Sequence, residues 1–246
     1  NLPSGTSIMP KAPDTPKYIA LYADKAFHGT PGNYGQWLGN TAREDYLISR
    51  CLQKGFNLIY ITNTSYIGAT SPGYLASQYT SSGKASIRNF VAKCTLAGIE
   101  VGVVIGINDG SNGPNLGPAN RVKDYNQTAA ANQKLTRVLV EEEYWNNGQM
   151  TFTVFRNTVQ QVFNLLDPVN VKVDAYLANW DPGELPQLTS YLDIYWLTEY
   201  TNIPRYDRIR SGVQELAGTT PVTPIKVGAL VSAESYERNA AGVNTV

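Results

Sequence analysis

The sequence predicts an α/β protein, a (β/α)8 TIM-type barrel whose eighth strand is either missing or supplied by a segment outside this sequence. Three observations carry this. Short apolar runs alternate with helical patterns along the chain. The runs are apolar almost throughout, as strands of a parallel sheet covered on both faces are. At 246 residues the chain has the length at which α/β barrels commonly form one domain. A doubly wound open sheet is the rival, but no G-x-G-x-x-G follows the first strand.

Residues 1–16, with Pro3, Pro10, Pro13 and Pro16, read as an extended leader, and 17–246 as a single barrel domain. The first strand is "YIALYAD" at 18–24. A Gly/Pro-rich loop follows, with His28 read as an exposed loop residue. It leads to the helix "TAREDYLISRCLQKG", where Thr41 is placed to cap and Glu44 stands three residues later. Then come strand 56–62, helix 84–98, strand 99–107, a helix over about 118–133, strand 135–141 and helix 152–166. Strand 171–180, a short helical stretch at 184–191, strand 192–200, helix 206–218 and strand 225–233 complete the pattern. The remaining "ESYERNAAGVNTV" is too short for a helix plus an eighth strand.

Hydrophobic residues make up 42% of the chain, enough for one core, while charged residues are only 16%, against about 25% on average. Twenty basic and twenty acidic residues cancel and no basic run occurs, which argues against nucleic acid or an anionic membrane as partner. The longest apolar runs are too short to cross a bilayer, so no membrane insertion is expected. The tyrosine-rich, charge-poor composition leads to the expectation of a secreted or cell-surface protein; a first residue other than methionine fits a trimmed chain and a processed exported one alike. Cys51 and Cys94 stand in matching phrases, "CLQKGFNLIYI" and "CTLAGIEVGVV", each four residues before a glycine. One buried thiol under each helix is the expected arrangement, with a disulfide between them as the alternative. One histidine and two cysteines assemble no zinc set, and no metal or cofactor is expected.

In barrels the chemistry sits at the C-terminal ends of the strands. Those ends supply Asp24, Asn63, Asn108, Asp109, Glu141, Glu143 with Trp145, Asn179 with Trp180 and Asp181, Glu199 with Tyr200, and Glu234. Trp37 lies in the long first loop and Trp196 within strand six. In "RVLVEEEYWNN" the alternation of a strand turns Glu141 and Glu143 to one face and Glu142 to the other. Flat aromatics around a polar, carboxylate-bearing mouth suit sugar rings, whose C–H faces stack while their hydroxyls bond. The expected substrate contacts are Trp37, Trp145, Trp180, Trp196, Asp24, Asp109, Asn179 and Glu199. Asp174 shares a face with Tyr176 and is expected in an ion pair with Lys172 or Arg137.

From strand four onward the order of features resembles the chitinase-like family 18 glycoside hydrolases, with D-x-x-D-x-D-x-E on the fourth strand. Glu143, followed by Tyr144, falls on the family's catalytic Glu, and Glu141 on the last Asp of the motif; Thr136 and Leu139 stand at the two earlier Asp positions. Asp193 matches the aspartate that opens strand six and Tyr200 the family's tyrosine, with Thr198 and Thr201 in place of its Met and Asp. Lys226 and Gly228 match the seventh strand, and Gly106 is the one partner for the S-x-G-G of the third.

The resemblance implies hydrolysis of oligo- or polysaccharides containing N-acetylglucosamine by a substrate-assisted route, without a cofactor. Glu143 would protonate the glycosidic oxygen while the 2-acetamido oxygen attacks the anomeric carbon. Glu141 would raise the proton affinity of Glu143 and orient the acetamido group, and Tyr200 would donate its hydroxyl to the acetamido oxygen. Two alternatives stay open: a glycan-binding barrel that does not cleave, and a conventional retaining glycosidase using Glu143 and Glu234.

Overall fold

The computed structural model describes residues 18–23, 37–61, 81–111, 113–145, 150–198, 206–219 and 226–230. Its strands are β1 (Ala20–Ala23), β2 (Leu58–Ile61), β3 (Glu100–Ile105), β4 (Arg137–Val140), β5 (Lys172–Leu177), β6 (Ile194–Thr198) and β7 (Lys226–Leu230). They form one sheet in the order β1 to β7, and every neighbouring pair is parallel. Between them run α1 (Thr41–Lys54), α2 (Ser81–Leu96), α3 (Gly117–Thr128), α4 (Phe152–Leu166) and α5 (Tyr206–Ala217). The sheet is curled, so the fold is a (β/α)8 TIM-type barrel in which seven strands are described.

Two separate apolar clusters follow from the two faces of the curled sheet. Outward residues such as Ile59, Val103, Val138, Ala175 and Leu197 pack under the helices, on Phe90, Phe155 and Val159. Inward residues Leu58, Tyr60, Val104, Leu139, Tyr176, Ile194 and Trp196 fill the barrel itself. Because both faces are buried, β2 and β4 carry no exposed position, which is why they read as unbroken apolar runs.

The repeated cysteine phrases are one structural device used twice. Gly55 and Gly98 end α1 and α2 with φ of 75° and 74°, a left-handed turn that favours glycine. The next residue then bonds back to the cysteine carbonyl at 2.9 Å, Phe56 N–H to Cys51 and Ile99 N–H to Cys94. Both thiols are free and buried. Burial pushes the Cys94 thiol up to about 12 and raises that of Cys51.

Three local expectations need correction. The cap of α1 is Asn40, not Thr41: the Asn40 side chain accepts the Arg43 N–H at 3.2 Å, while Glu44 reaches back to the Gly39 N–H at 2.7 Å and to Lys93. The helix expected to 133 stops at Thr128, and a 3-10 turn follows at Ala131–Gln133. There Thr128 bonds its own preceding turn, and the buried Asn126 side chain both donates to and accepts from the Leu135 backbone, drawing the chain toward β4. The stretch at 184–191 is a single 3-10 turn, Leu185–Leu188.

The N-terminal end of the barrel is closed by charge. Arg137, 2% exposed, donates to Glu100 at 3.1 Å, to Asp174 at 2.9 and 3.1 Å and to Asp193 at 2.7 Å. Lys226 donates to both Asp193 oxygens at 3.0 Å, and the Tyr18 ring lies against both cations. Asp174 also accepts the Tyr60 hydroxyl at 2.6 Å and the Ile194 N–H, and Tyr60 in turn accepts Trp196 Nε1–H at 3.0 Å. Burial pushes the Asp174 carboxyl up to about 6 against the pull of Arg137. Burial is the largest single influence on Arg137 and opposes its charge, but Asp174, Asp193 and Tyr60 together outweigh it and hold the guanidinium well above its usual value. Of the two partners expected for Asp174, Arg137 is the one found.

Candidate active site

The opposite end of the barrel carries the glutamates. β3 and β4 stop at Ile105 and Val140, and the Glu141 N–H closes their ladder on the Ile105 carbonyl at 3.0 Å. Beyond that point the chain keeps its alternation. Glu141 accepts the Tyr22 hydroxyl of β1 at 2.5 Å, and Glu143 accepts the Tyr176 hydroxyl of β5 at 3.4 Å. Tyr22 and Tyr176 occupy inward positions, so both carboxylates stand over the barrel interior. Trp145, the next residue on that side, is half-buried and lies 5.8 Å from the Tyr176 ring.

Glu142 turns away. It is 9% exposed and accepts Asn108 Nδ2–H at 3.4 Å. Burial raises its carboxyl, and the neighbouring Asn108 amide offsets only part of that rise. Tyr144 also faces outward, packed 4.7 Å from Phe155, with its hydroxyl on Glu184 Oε2 at 2.7 Å.

The structure does not gather the other tryptophans at the mouth. Trp37 packs edge-on against Phe90, 4.9 Å away under α2. Trp180 is buried between the β5–β6 connection and α5, with Arg208 4.9 Å above its ring. Trp196 fills the barrel interior at 4% exposure, bonded to Tyr60. Strand β5 ends at Leu177, so Trp180 falls beyond it, where its large apolar surface is buried in the helix layer rather than stacked on the rim. Asp109 is exposed, but its carboxylate accepts the Ser111 and Gly113 N–H groups of its own loop at 2.7 and 3.0 Å. Asn179 is exposed. Asp24, His28, Asn63, Glu199, Tyr200 and Glu234 lie outside the described residues.

Sequence reasoning missed Tyr22 and Tyr176 as mouth groups. The signal was present in the inward positions Tyr18, Ala20, Tyr22 and Asp174, Tyr176, Ala178. The final inward residue of a strand faces the mouth, and it need not be the strand's last residue. Among the described residues no cluster of His, Cys, Asp and Glu is arranged to hold a metal ion, and no helix is long and apolar enough to cross a membrane.

No protein-family model and no curated protein matches the chain. Solved structures do. The glycoside hydrolase family 17 β-1,3-glucanosyltransferase from Rhizomucor miehei is 14% identical, covering 89% of this chain and 78% of that one, with a TM-score of 0.51. The endocellulase from Pyrococcus horikoshii, determined as a complex with cellotetraose, is 10% identical over 80% and 68% of the two chains, with a TM-score of 0.50. Eubacterium rectale Amy13B is 11% identical over 85% and 57%, with a TM-score of 0.54. At such identities the likeness is one of fold: the chain shares its TIM-type barrel with glycoside hydrolases.

Proposed function

We propose that the chain is a chitinase-like hydrolase, secreted or at the cell surface, that cleaves N-acetylglucosamine-containing glycans by a substrate-assisted, retaining route. The observation that carries this reading is the placement of Glu141 and Glu143 together at the C-terminal end of β4, each engaged by a tyrosine hydroxyl from another strand. The barrel shared with glycoside hydrolases supports it, as does the E-x-E spacing.

In the proposed reaction Glu143 gives its proton to the glycosidic oxygen as the bond to the anomeric carbon breaks, and the 2-acetamido oxygen forms the new bond to that carbon. Water then attacks the cyclic intermediate, returning a proton to Glu143, and the anomeric configuration is retained. Glu141 accepts the acetamido N–H, with Tyr22 fixing the carboxylate. Trp145 offers its face to a sugar ring, and Tyr200 keeps the role that the resemblance gives it. Asp109, Asn179 and Glu199 are proposed as hydrogen-bonding groups of the surrounding loops.

A second reading, a barrel that binds glycans without cleaving them, draws on Leu139. This residue fills the position of the family's inner Asp with a buried aliphatic side chain, so no carboxyl stands there to share a proton with Glu141. The deciding experiment incubates the protein with a chitooligosaccharide and with its deacetylated counterpart, and follows fresh product by proton NMR. The expected result is cleavage of the acetylated sugar alone, with retention. Cleavage of both would favour a conventional retaining pair, binding without cleavage the second reading, and neither binding nor cleavage would remove glycans from the account.

A further inference from the structure

The middle glutamate of the run is the one whose burial demands explanation. A carboxylate at a solvated loop start stays in water, whereas Glu142 is 9% exposed, and burial of a charge is costly unless it is bonded. The bond it makes lies just past the point where the sheet stops. The last ladder bond between β3 and β4 is Glu141 N–H to the Ile105 carbonyl. Above it the Glu142 carboxylate accepts the Asn108 side-chain amide at 3.4 Å, so a side-chain bond continues the link between the two strands where the backbone ladder ends.

The anchor is itself braced. In the loop after β3, Asn115 N–H bonds the Ile107 carbonyl at 2.7 Å, Asp109 N–H the Gly113 carbonyl at 3.0 Å, and Asn108 Oδ1 accepts the Gly110 N–H at 2.8 Å. On the other side Tyr144 is tied to Glu184, which also accepts the Asp181 N–H at 2.9 Å. The outward residues 142 and 144 are thus fastened to the loops on either side, and the inward residues 141, 143 and 145 hang between those fastenings.

We propose that Glu142 is a positioning residue, whose carboxylate ties the loop after β3 to the end of β4 and so fixes the span that presents Glu141 and Glu143 to the mouth. The claim rests on the reading of that pair as the site, and it deepens it: the three consecutive glutamates divide into two that face substrate and one that holds them.

The test compares wild-type, Glu142→Ala and Glu142→Gln full-length protein by backbone hydrogen exchange and by kcat and KM on a chitooligosaccharide. Removing the carboxylate is expected to speed exchange both at 107–108 and at 141–145. It should lower kcat by about 10- to 100-fold with KM changed less than about twofold, the signature of a displaced reacting group. Glu142→Gln, which keeps one acceptor, should recover part of both effects. Faster exchange at 107–108 alone with unchanged kcat would mean that Glu142 only pins its loop, and would overturn the proposal. If wild-type protein cleaves no glycan, the functional reading fails separately, and exchange at 141–145 still decides the positioning claim. Should Glu142→Ala not fold, Glu142→Gln carries the same comparison.

Discussion

The two ends of this barrel both carry carboxylates, and they treat them differently. At the N-terminal end Glu100, Asp174 and Asp193 surround Arg137 and Lys226, cation against anion, with Asp174 wholly buried. At the C-terminal end Glu141 and Glu143 receive tyrosine hydroxyls, and Glu141 is exposed. An anion neutralised by a guanidinium is held as structure, because its charge cannot change without breaking the pair. A hydrogen bond from a neutral phenol orients a carboxyl without cancelling its charge by an opposite one, which suits a group that must exchange a proton with a substrate. The difference teaches where stability and where function are expected to respond to mutation.

The largest effect on stability should come from the floor. Arg137→Met leaves Asp174 buried without its cation, and should lower unfolding stability by about 3–5 kcal/mol in a denaturant titration. A loss below about 1 kcal/mol would mean that the network is not holding the barrel end together. Next is the barrel interior. A Cβ on Gly228 would stand 2.3 Å from the Trp196 ring, so Gly228→Ala must displace Trp196 from Tyr60 and should cost about 1–3 kcal/mol. A Cβ on Gly106, just above β3, meets nothing within 4 Å, so Gly106→Ala should fold with little loss. Equal losses at the two glycines would break the contrast between a packed interior and an open mouth.

How much of this could be read in advance depended on the kind of signal. The strands were legible because residues apolar on both faces leave a mark at every position, and "LIYI" and "RVLV" are buried throughout. Arg137, charged at the start of such a run, was legible only as one of two partners for Asp174, beside Lys172, and the structure buries Arg137 and leaves Lys172 exposed. The facing of the three glutamates followed from strand alternation. The tryptophans were not legible. Position in the long first loop placed Trp37 at the mouth and proximity to a strand end placed Trp180 there, but a large aromatic is recruited wherever apolar surface needs covering, and here that is beneath α2 and α5. The cap of α1 was missed by one residue because Asn40 and Thr41 are both capable caps, and the backbone, not the residue type, decides between them.

Smaller effects sharpen the contrast at the mouth. Tyr22→Phe removes the hydroxyl from Glu141 at an exposed position, so stability should stay within about 0.5 kcal/mol, while turnover or glycan affinity falls. A stability loss without a functional one would place Tyr22 with the floor rather than with the site. The smallest expected effect is at the cysteines. Burial holds both as thiols, that of Cys94 up to about 12, so neither should react with a thiol reagent at pH 8 in the native protein, and both should titrate once the chain is denatured. Rapid native reaction would show that the helix layer over them opens.

The most direct test of the division between the two ends measures turnover and unfolding midpoint together for Glu143→Gln, a change that keeps shape and hydrogen bonding but delivers no proton. The account predicts that chitooligosaccharide cleavage falls by about 10²–10⁴-fold while the denaturation midpoint and the affinity for the sugar stay close to wild type. A protein that loses stability yet cleaves as before would contradict it, and would assign Glu143 to the framework of the barrel.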